Sequence, residues 1–212
     1  DLRMSRGLGD VYKRQVYCDE NIPKNIGIHW LDCSEIEECD LYCSRQAEEK
    51  IREKIKPYGI HGIHFLDSGN YHYVTEIMTS QIQKEFQLVV FDHHTDMQKP
   101  MIEHMTSCGD WAEKVLETNP WLQQLVLIGP QAKDIEQLYW ENDGLMNRKE
   151  ISEKLLTFSA EEIHTREDKN KISKIKKNLP VYISIDKDIL DKQYTKTNWS
   201  QGNMSLLSLI HI

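Results

Sequence analysis

Short apolar segments alternate with helical patterns along most of the chain, and this alternation constrains the fold more than any other feature. The segments are rich in Val, Ile and Leu, as expected of strands buried on both faces of a parallel sheet. The alternation therefore predicts an α/β fold of three layers, α/β/α, around a mainly parallel sheet. The predicted strands are IGIHWLD (26–32), IHGIHFLDSG (60–69), QLVVFD (87–92), WLQQLVLIGP (121–130) and PVYISID (180–186).

Helices are predicted between these strands, where charged and apolar residues recur at helical spacing. The first has Ser44 as a candidate N-cap, and Pro57 and Gly59 mark its end. The predicted helices cover residues 44–59, 71–86, 108–120, 148–159 and 166–178.

Composition narrows the classes of function. The 212 residues include 26 Lys and Arg against 34 Asp and Glu, which gives a net charge of −8. Nucleic-acid-binding surfaces are basic, so a nucleic-acid partner is not expected. No apolar segment approaches the roughly 20 residues that span a bilayer, so a membrane partner is not expected either. The five cysteines form no CxxC pair, which predicts reduced thiols in a cytoplasmic protein.

Both ends of the sequence differ from the rest. Residues 1–15 (DLRMSRGLGDVYKRQ) have no hydrophobic period, and residues 205–212 (SLLSLIHI) form an apolar tail. We expect these ends to be non-native and predict a single α/β domain over residues 16–204.

Acidic and imidazole side chains follow three of the predicted strands. The carboxyl ends of parallel strands meet at one edge of a sheet, where functional groups gather. Residues two apart on a strand also face the same side, so each strand contributes a set with a common direction. The side chains are Asp92, His94 and Asp96 after the third strand, Asp186 and Asp188 after the fifth, and His72 after a glycine turn that follows the second.

Four carboxylates and two imidazoles at one sheet edge suit two hard divalent cations. Without metal the carboxylates would repel one another, and some would have to stay protonated. Each aspartate could instead cap the helix after its strand, which is a common role in such loops. Capping explains a single aspartate well but the whole set poorly. His93 is interpreted as an orienting or packing residue.

Three motifs in this order resemble those of the arginase/agmatinase/formiminoglutamase (ureohydrolase) family. FDHHTD resembles the family's DxHxD motif, SIDKDILD its SxDxDxxD motif, and SGNYH its GGDH turn. The resemblance covers about residues 26–204 and implies the arginase/deacetylase-like fold, incomplete at the C-terminus.

The resemblance implies two Mn²⁺ ions, or other divalent ions, bound by the six side chains. Asp92 and Asp186 would bridge both ions and orient a metal-bridging hydroxide, the nucleophile. His72 and Asp96 would complete the ligands of one ion, and His94 and Asp188 those of the other. The implied reaction is hydrolysis of a C–N bond in a linear amidine, with a small guanidino or formimino compound as substrate.

The resemblance has departures. Met97 and Gln98 follow the DxHxD motif, where arginase-like enzymes carry residues that hold the amino-acid end of arginine, so arginine is a doubtful substrate. No histidine occupies residues 107–111, the expected place of a proton shuttle, and His104 is the nearest candidate. Asn198 is a candidate substrate-binding residue in NWSQG. The family's last strand and its glutamate have no counterpart here, so an inactive fragment of an active parent is compatible with the pattern.

Two other functions stay open. The first is a DHH-type manganese phosphoesterase, although that family's DxD strand precedes its DHH motif, whereas DKD follows DHH here. The second is a non-catalytic metal-binding relative, which the missing shuttle histidine would permit. A homo-oligomer is compatible with all three readings.

Overall fold

The computed structural model describes residues 2–6, 28–140, 148–165 and 169–211. The chain forms two compact units, one of Asp1–Ile82 with Lys99–Trp111 and one of Gln83–Gln98 with Ala112–Ile212. The single domain over residues 16–204 stays a prediction. Within the described ranges, every helix is too short or too polar to cross a membrane.

The first unit contains two small sheets. In the first sheet, β1 (Leu2–Arg6) pairs in parallel with β2 (Ile28–Asp32) on one side and with β4 (Ile63–Phe65) on the other. In the second, β3 (Tyr42–Ser44) is antiparallel to β6 (Met105–Ser107). Strand β1 belongs to the segment expected to be non-native, and that origin stays a prediction.

Helix α1 (Arg45–Ile55) of the first unit follows the predicted pattern closely. The Ser44 hydroxyl accepts a hydrogen bond from the Ala47 N–H at 3.2 Å and so caps the N-terminus. Ala47, Ile51 and Ile55 are buried at helical spacing, and Pro57 turns the chain into a 3₁₀ helix at Lys56–Tyr58. A second 3₁₀ helix, Gly69–Tyr71, precedes α2 (Val74–Thr79).

A four-stranded parallel sheet forms the centre of the second unit. Its strands are β5 (Phe86–Phe91), β7 (Leu122–Ile128), β8 (Leu155–Phe158) and β9 (Val181–Ile185), in the order β8-β7-β5-β9. All three pairings are parallel, which confirms the predicted α/β class with a mainly parallel sheet. The helices along this part of the chain are α3 (Trp111–Thr118), α4 (Ala132–Trp140), α5 (Lys149–Ser152), α6 (Ala160–Thr165), α7 (Lys169–Ile172) and α8 (Leu206–Ile210).

The helix predicted over residues 148–159 is wrong in its second half. Only Lys149–Ser152 is helical, and Leu155–Phe158 is a strand that pairs with β7. All four residues of this strand are buried. Their pairing with β7 within the sheet outweighs the helical charge pattern that precedes them. The helices predicted over 71–86 and 166–178 are shorter than expected, at Val74–Thr79 and Lys169–Ile172, although residues 166–168 lie outside the described part.

A hydrophobic cluster in the core of the second unit lies beside the carboxyl ends of β5 and β7. The buried members of this cluster are Phe91, Val126, Ile128, Leu156, Phe158, Ile189, Leu190 and Met204. Leu209 of α8 packs against this core, although α8 belongs to residues 205–212, whose non-native origin stays a prediction. The core supports the strand tips that carry the candidate site.

Candidate metal centre

Asp92 ends strand β5 and turns the chain away from the sheet. Its N–H donates to the Ile128 carbonyl at 3.0 Å, which continues the pairing with β7 by one residue. Its Oδ1 accepts a hydrogen bond from the His94 N–H at 2.7 Å, which is an Asx turn. Asp92 is buried, with only 1% of its surface exposed. The turn, rather than continued strand alternation, sets the direction of His94.

The tip of β9 repeats this arrangement beside it. The Asp186 N–H donates to the Phe91 carbonyl at 2.8 Å, so the two strand tips lie next to each other. The Asp186 Oδ1 accepts from the Asp188 N–H at 3.0 Å and caps a 3₁₀ turn, Lys187–Ile189. Asp188, 2% exposed, is therefore directed by a turn and not by strand alternation.

Asp92, His94 and Asp188 meet between these two tips. The His94 Nδ1 lies 2.8 Å from Asp188 Oδ2 and 3.5 Å from Asp92 Oδ1. One candidate ligand atom from each residue lies within 4.8 Å of the other two. The second oxygen of Asp188 accepts from the His93 N–H at 3.1 Å, which fixes the carboxylate plane.

The ionisation of His94 and of the two buried carboxylates governs the electrostatics of this cluster. Burial raises the pKa of Asp188 to about 6, against the opposing effect of its bond to His94. Hydrogen bonds to Asp188 and to Asp92 raise the pKa of His94 to about 10. The imidazolium thus offsets the charge of the buried carboxylates. Two carboxylates and an imidazole around one point are also the donor set that a divalent cation takes, so the residues fit a metal ion.

Two other predicted ligands of the second unit lie near the strand tips in sequence. Asp96 is buried, has a positive φ of 51°, and accepts the Ala112 N–H at its carbonyl oxygen at 3.0 Å. Asp186 is half-buried and caps the turn described above. Their roles as metal ligands stay predictions, as does substrate binding by Asn198, which is exposed.

Two predicted residues belong to the first unit. His72 is buried at the end of the Gly69–Tyr71 helix, and its ring centroid lies 4.6 Å from that of Trp111. His104 is exposed and has a positive φ of 64°. Metal binding by His72 and proton transfer by His104 stay predictions.

Two functional candidates were not singled out by the sequence. The Ser200 hydroxyl lies 2.7 Å from His94 Nε2, and the Trp199 ring stands edge-on to the His94 ring, with centroids 5.9 Å apart. Both lie in NWSQG, the loop that contains the candidate substrate-binding residue Asn198. The sequence offers no signal that this serine, 106 residues from His94, would contact it.

Gly129 and Gly202 allow the backbone to approach the strand tips closely. A Cβ atom at Gly129, whose φ is +116°, would lie 2.5 Å from the Asp92 carbonyl oxygen and 2.5 Å from Ile189 Cδ1. A Cβ atom at Gly202 would lie 2.6 Å from the Ile189 carbonyl oxygen. Glycine is therefore required at both positions.

The chain is similar to known proteins in sequence and in structure. The chain is 30% identical over 152 residues to an uncharacterized protein of Thermotoga maritima, and the match covers 71% of this chain but 51% of that protein. The chain thus spans about half the length of the curated relative. Its structure is similar to that of formimidoylglutamase from Bacillus subtilis, with a TM-score of 0.63, 12% identity, and coverage of 99% of this chain and 72% of that one.

A hypothetical agmatinase from Burkholderia thailandensis is similar in structure to the same degree. The TM-score is 0.62 at 15% identity, and the match covers 99% of this chain and 71% of that one. At such identities the likeness shows the fold alone. The family model described as the arginase family matches residues 43–197, which include every predicted metal ligand, and the chain therefore belongs to the arginase family.

Proposed function

We propose that the protein is a binuclear-metal hydrolase that cleaves a C–N bond of a linear amidine. The observation that carries this proposal is the convergence of Asp92, His94 and Asp188 at neighbouring strand tips in a chain of the arginase family. Two similar structures bear the names formimidoylglutamase and agmatinase, and these names favour a formimino or guanidino compound as substrate. Met97 and Gln98, which follow the DxHxD motif, do not favour arginine.

The proposed cofactor is a pair of Mn²⁺ ions. His94 and Asp188 would hold one ion, His72 and Asp96 the other, and Asp92 and Asp186 would be shared. When bound, such ions act as Lewis acids and lower the pKa of water toward neutrality. All six residues lie within the part of the chain that matches the family model or its motifs.

In the second unit, the burial and charge of the candidate ligands already favour the binding of a cation. The carboxylates of Asp92 and Asp188 are buried, so little water competes for them. The His94 side chain is 29% exposed, which leaves the His94 side of the cluster open to solvent and to a small substrate. His94 also holds a proton at Nδ1, beside Asp188, which balances the carboxylate charge until a cation replaces it.

A substrate panel tests this function. The protein, loaded with Mn²⁺, is incubated with formimino and guanidino compounds, and released formamide, urea or ammonia is measured. Turnover of at least one compound is expected, and it should disappear in Asp188→Asn, which keeps the shape of the side chain but loses its charge. If no compound of the panel is turned over while two ions are bound, the result would instead support a non-catalytic metal-binding relative. Turnover of a phosphodiester, tested separately, would support a phosphoesterase.

The proposed site also predicts how metal affinity depends on pH. The pKa of His94 is raised to about 10, so at neutral pH a cation must displace the Nδ1 proton to bind. Mn²⁺ affinity should therefore rise with pH, by up to about tenfold per pH unit, as long as His94 is protonated in the metal-free protein. Because that proton is released, the calorimetric heat of binding should change with the ionisation enthalpy of the buffer.

A His94→Gln variant is the control for this prediction. It should bind Mn²⁺ more weakly, and its binding heat should depend less on the buffer, because the displaced proton is absent. Equal buffer dependence in the two proteins would show that the released proton comes from another group. Glutamine keeps a polar side chain near Asp188, so both proteins are expected to remain folded.

We further propose that the substrate is a free small molecule and that the protein acts in the cytoplasm. The free thiols of Cys33, Cys39, Cys43 and Cys108 suit a reducing compartment. The net charge of −8 disfavours a nucleic-acid partner.

A further inference from the structure

One loop holds both ring nitrogens of His94. Asp188, at the start of the loop, lies 2.8 Å from Nδ1, and Ser200, near its end, lies 2.7 Å from Nε2. We propose that Ser200 is a positioning residue, which aims the Nδ1 atom of His94 at the carboxylates of Asp92 and Asp188. This inference rests on the proposed function, because it assigns Ser200 a task in the proposed metal site.

The position of Ser200 is fixed by bonds at the base of the loop. The Gly202 N–H donates to the Asp188 carbonyl at 2.7 Å, and the Asp191 N–H donates to the Met204 carbonyl at 3.0 Å. The Gln201 amide nitrogen donates across the loop to the carbonyls of Leu190 and Thr195, each at 3.2 Å. These hydrogen bonds join the two ends of the loop that carries Asp188 and Ser200.

The Ser200 contact at Nε2 becomes important for the orientation of His94 when Nδ1 loses its proton to a cation. A cation held by His94 would take the place of the Nδ1 proton through which His94 contacts Asp188. The ring would then be neutral with its proton on Nε2, and this N–H would donate to the Ser200 hydroxyl. Ser200 would therefore continue to restrain ring rotation without the Nδ1–H bond, and the edge-on Trp199 ring limits the space for rotation.

A purely structural role for Ser200 predicts different behaviour. Ser200 is exposed, so water can replace its hydrogen bond at little cost to the free energy of unfolding. A mobile water molecule, by contrast, would restrain the plane of the His94 ring less than a hydroxyl held in the loop. Ring orientation and metal affinity, rather than stability, are thus the quantities that Ser200 should change.

The experiment compares wild type with Ser200→Ala, Ser200→Thr and Thr197→Val. Thr197 donates its hydroxyl to the Trp199 carbonyl at 3.1 Å, so its replacement removes a bond of the same loop without touching His94. Calorimetric titration with Mn²⁺ gives the Kd of each protein. We expect Ser200→Ala to bind about 10- to 100-fold more weakly, as for other partners of metal-binding histidines, Ser200→Thr to restore most of the affinity, and Thr197→Val to resemble wild type.

A second readout needs no metal. In proton NMR spectra of the metal-free protein, the Nε2–H of His94 should give a downfield signal that exchanges slowly with water. This signal should remain in Ser200→Thr and disappear in Ser200→Ala. If Ser200→Ala fails to fold, the wild-type spectrum decides, because an Nε2–H that exchanges as fast as that of an exposed imidazole would overturn the role of Ser200.

The two readouts separate this inference from the proposed function. If wild type binds two Mn²⁺ ions and Ser200→Ala binds them equally well, Ser200 has no positioning role, while the proposed function stands. If wild type binds no Mn²⁺, the proposed function fails. Loss of the Nε2–H signal in Ser200→Ala would still support Ser200 as the residue that holds His94, and an unchanged signal would overturn it.

Discussion

An Asp92→Asn protein is expected to retain neither Mn²⁺ ion. Asparagine keeps the side-chain oxygen that accepts the His94 N–H at 2.7 Å, so the Asx turn and the local backbone should persist. The substitution removes one negative charge from a residue that is proposed to contact both ions. Loss of a residue that only hydrogen-bonds a metal ligand already weakens metal binding about 10- to 100-fold. Loss of a ligand shared by both ions should therefore weaken metal binding by more than about a hundredfold. Metal content after dialysis, measured by mass spectrometry, checks this.

Asp191→Asn is the matched control. Asp191 also accepts a backbone N–H two residues ahead, from Gln193 at 2.9 Å, but it lies outside the donor set. Asp191→Asn and a His93 substitution such as His93→Gln should retain two ions. Asp186→Ala should lose both, as Asp92→Asn does. Two ions retained in either Asp92→Asn or Asp186→Ala would contradict the assignment of that residue as a bridge.

Gly129→Ala is expected to cost the largest share of folding stability. The added Cβ would lie 2.5 Å from the Asp92 carbonyl oxygen and 2.5 Å from Ile189 Cδ1, and the φ of +116° is one that alanine rarely adopts. Backbone strain and overpacking each cost about 1–3 kcal/mol, so a loss of about 3 kcal/mol in the free energy of unfolding is expected. Urea unfolding of the metal-free protein measures it.

Gly59→Ala separates strain from overpacking. Gly59 also has a positive φ, +64°, but a Cβ there would meet nothing within 4 Å. It should therefore lose only the strain contribution, about 1–3 kcal/mol. If the two variants lost equal stability, the close approach of Gly129 to Asp92 would have no energetic weight.

Much of the parallel sheet can be predicted from the sequence, and the parts that cannot have a physical reason. β5, β7 and β9 consist largely of apolar residues, and this pattern identifies strands of a parallel sheet. β5 and β7 are buried as expected, whereas Val181, Ile183 and Ile185 of β9 are exposed. β8 is missed because LLTF follows KEISEK, whose charge spacing is helical. What makes these residues a strand is their pairing with β7, a contact that no local pattern contains.

The candidate site, like the sheet, can be predicted only in part from the sequence. The motifs identified Asp92, His94 and Asp188, which the structure brings together. The predicted cause, strand alternation, is incomplete, because both strands end and Asx turns direct the donors instead. Ser200 could not be predicted, since the fold of the loop determines its contact with His94.

The order of the strands has a consequence for how the proposed metal site forms. β5 and β9 are neighbours in the sheet, yet the His93–Asp188 hydrogen bond joins residues 95 positions apart in the chain. Contacts across so long a separation form late, because closing the intervening loop is entropically costly. We therefore expect a cation to bind only after the two strand tips have come together. Stabilisation of the folded protein by a bound cation should therefore lower the unfolding rate and leave the folding rate almost unchanged.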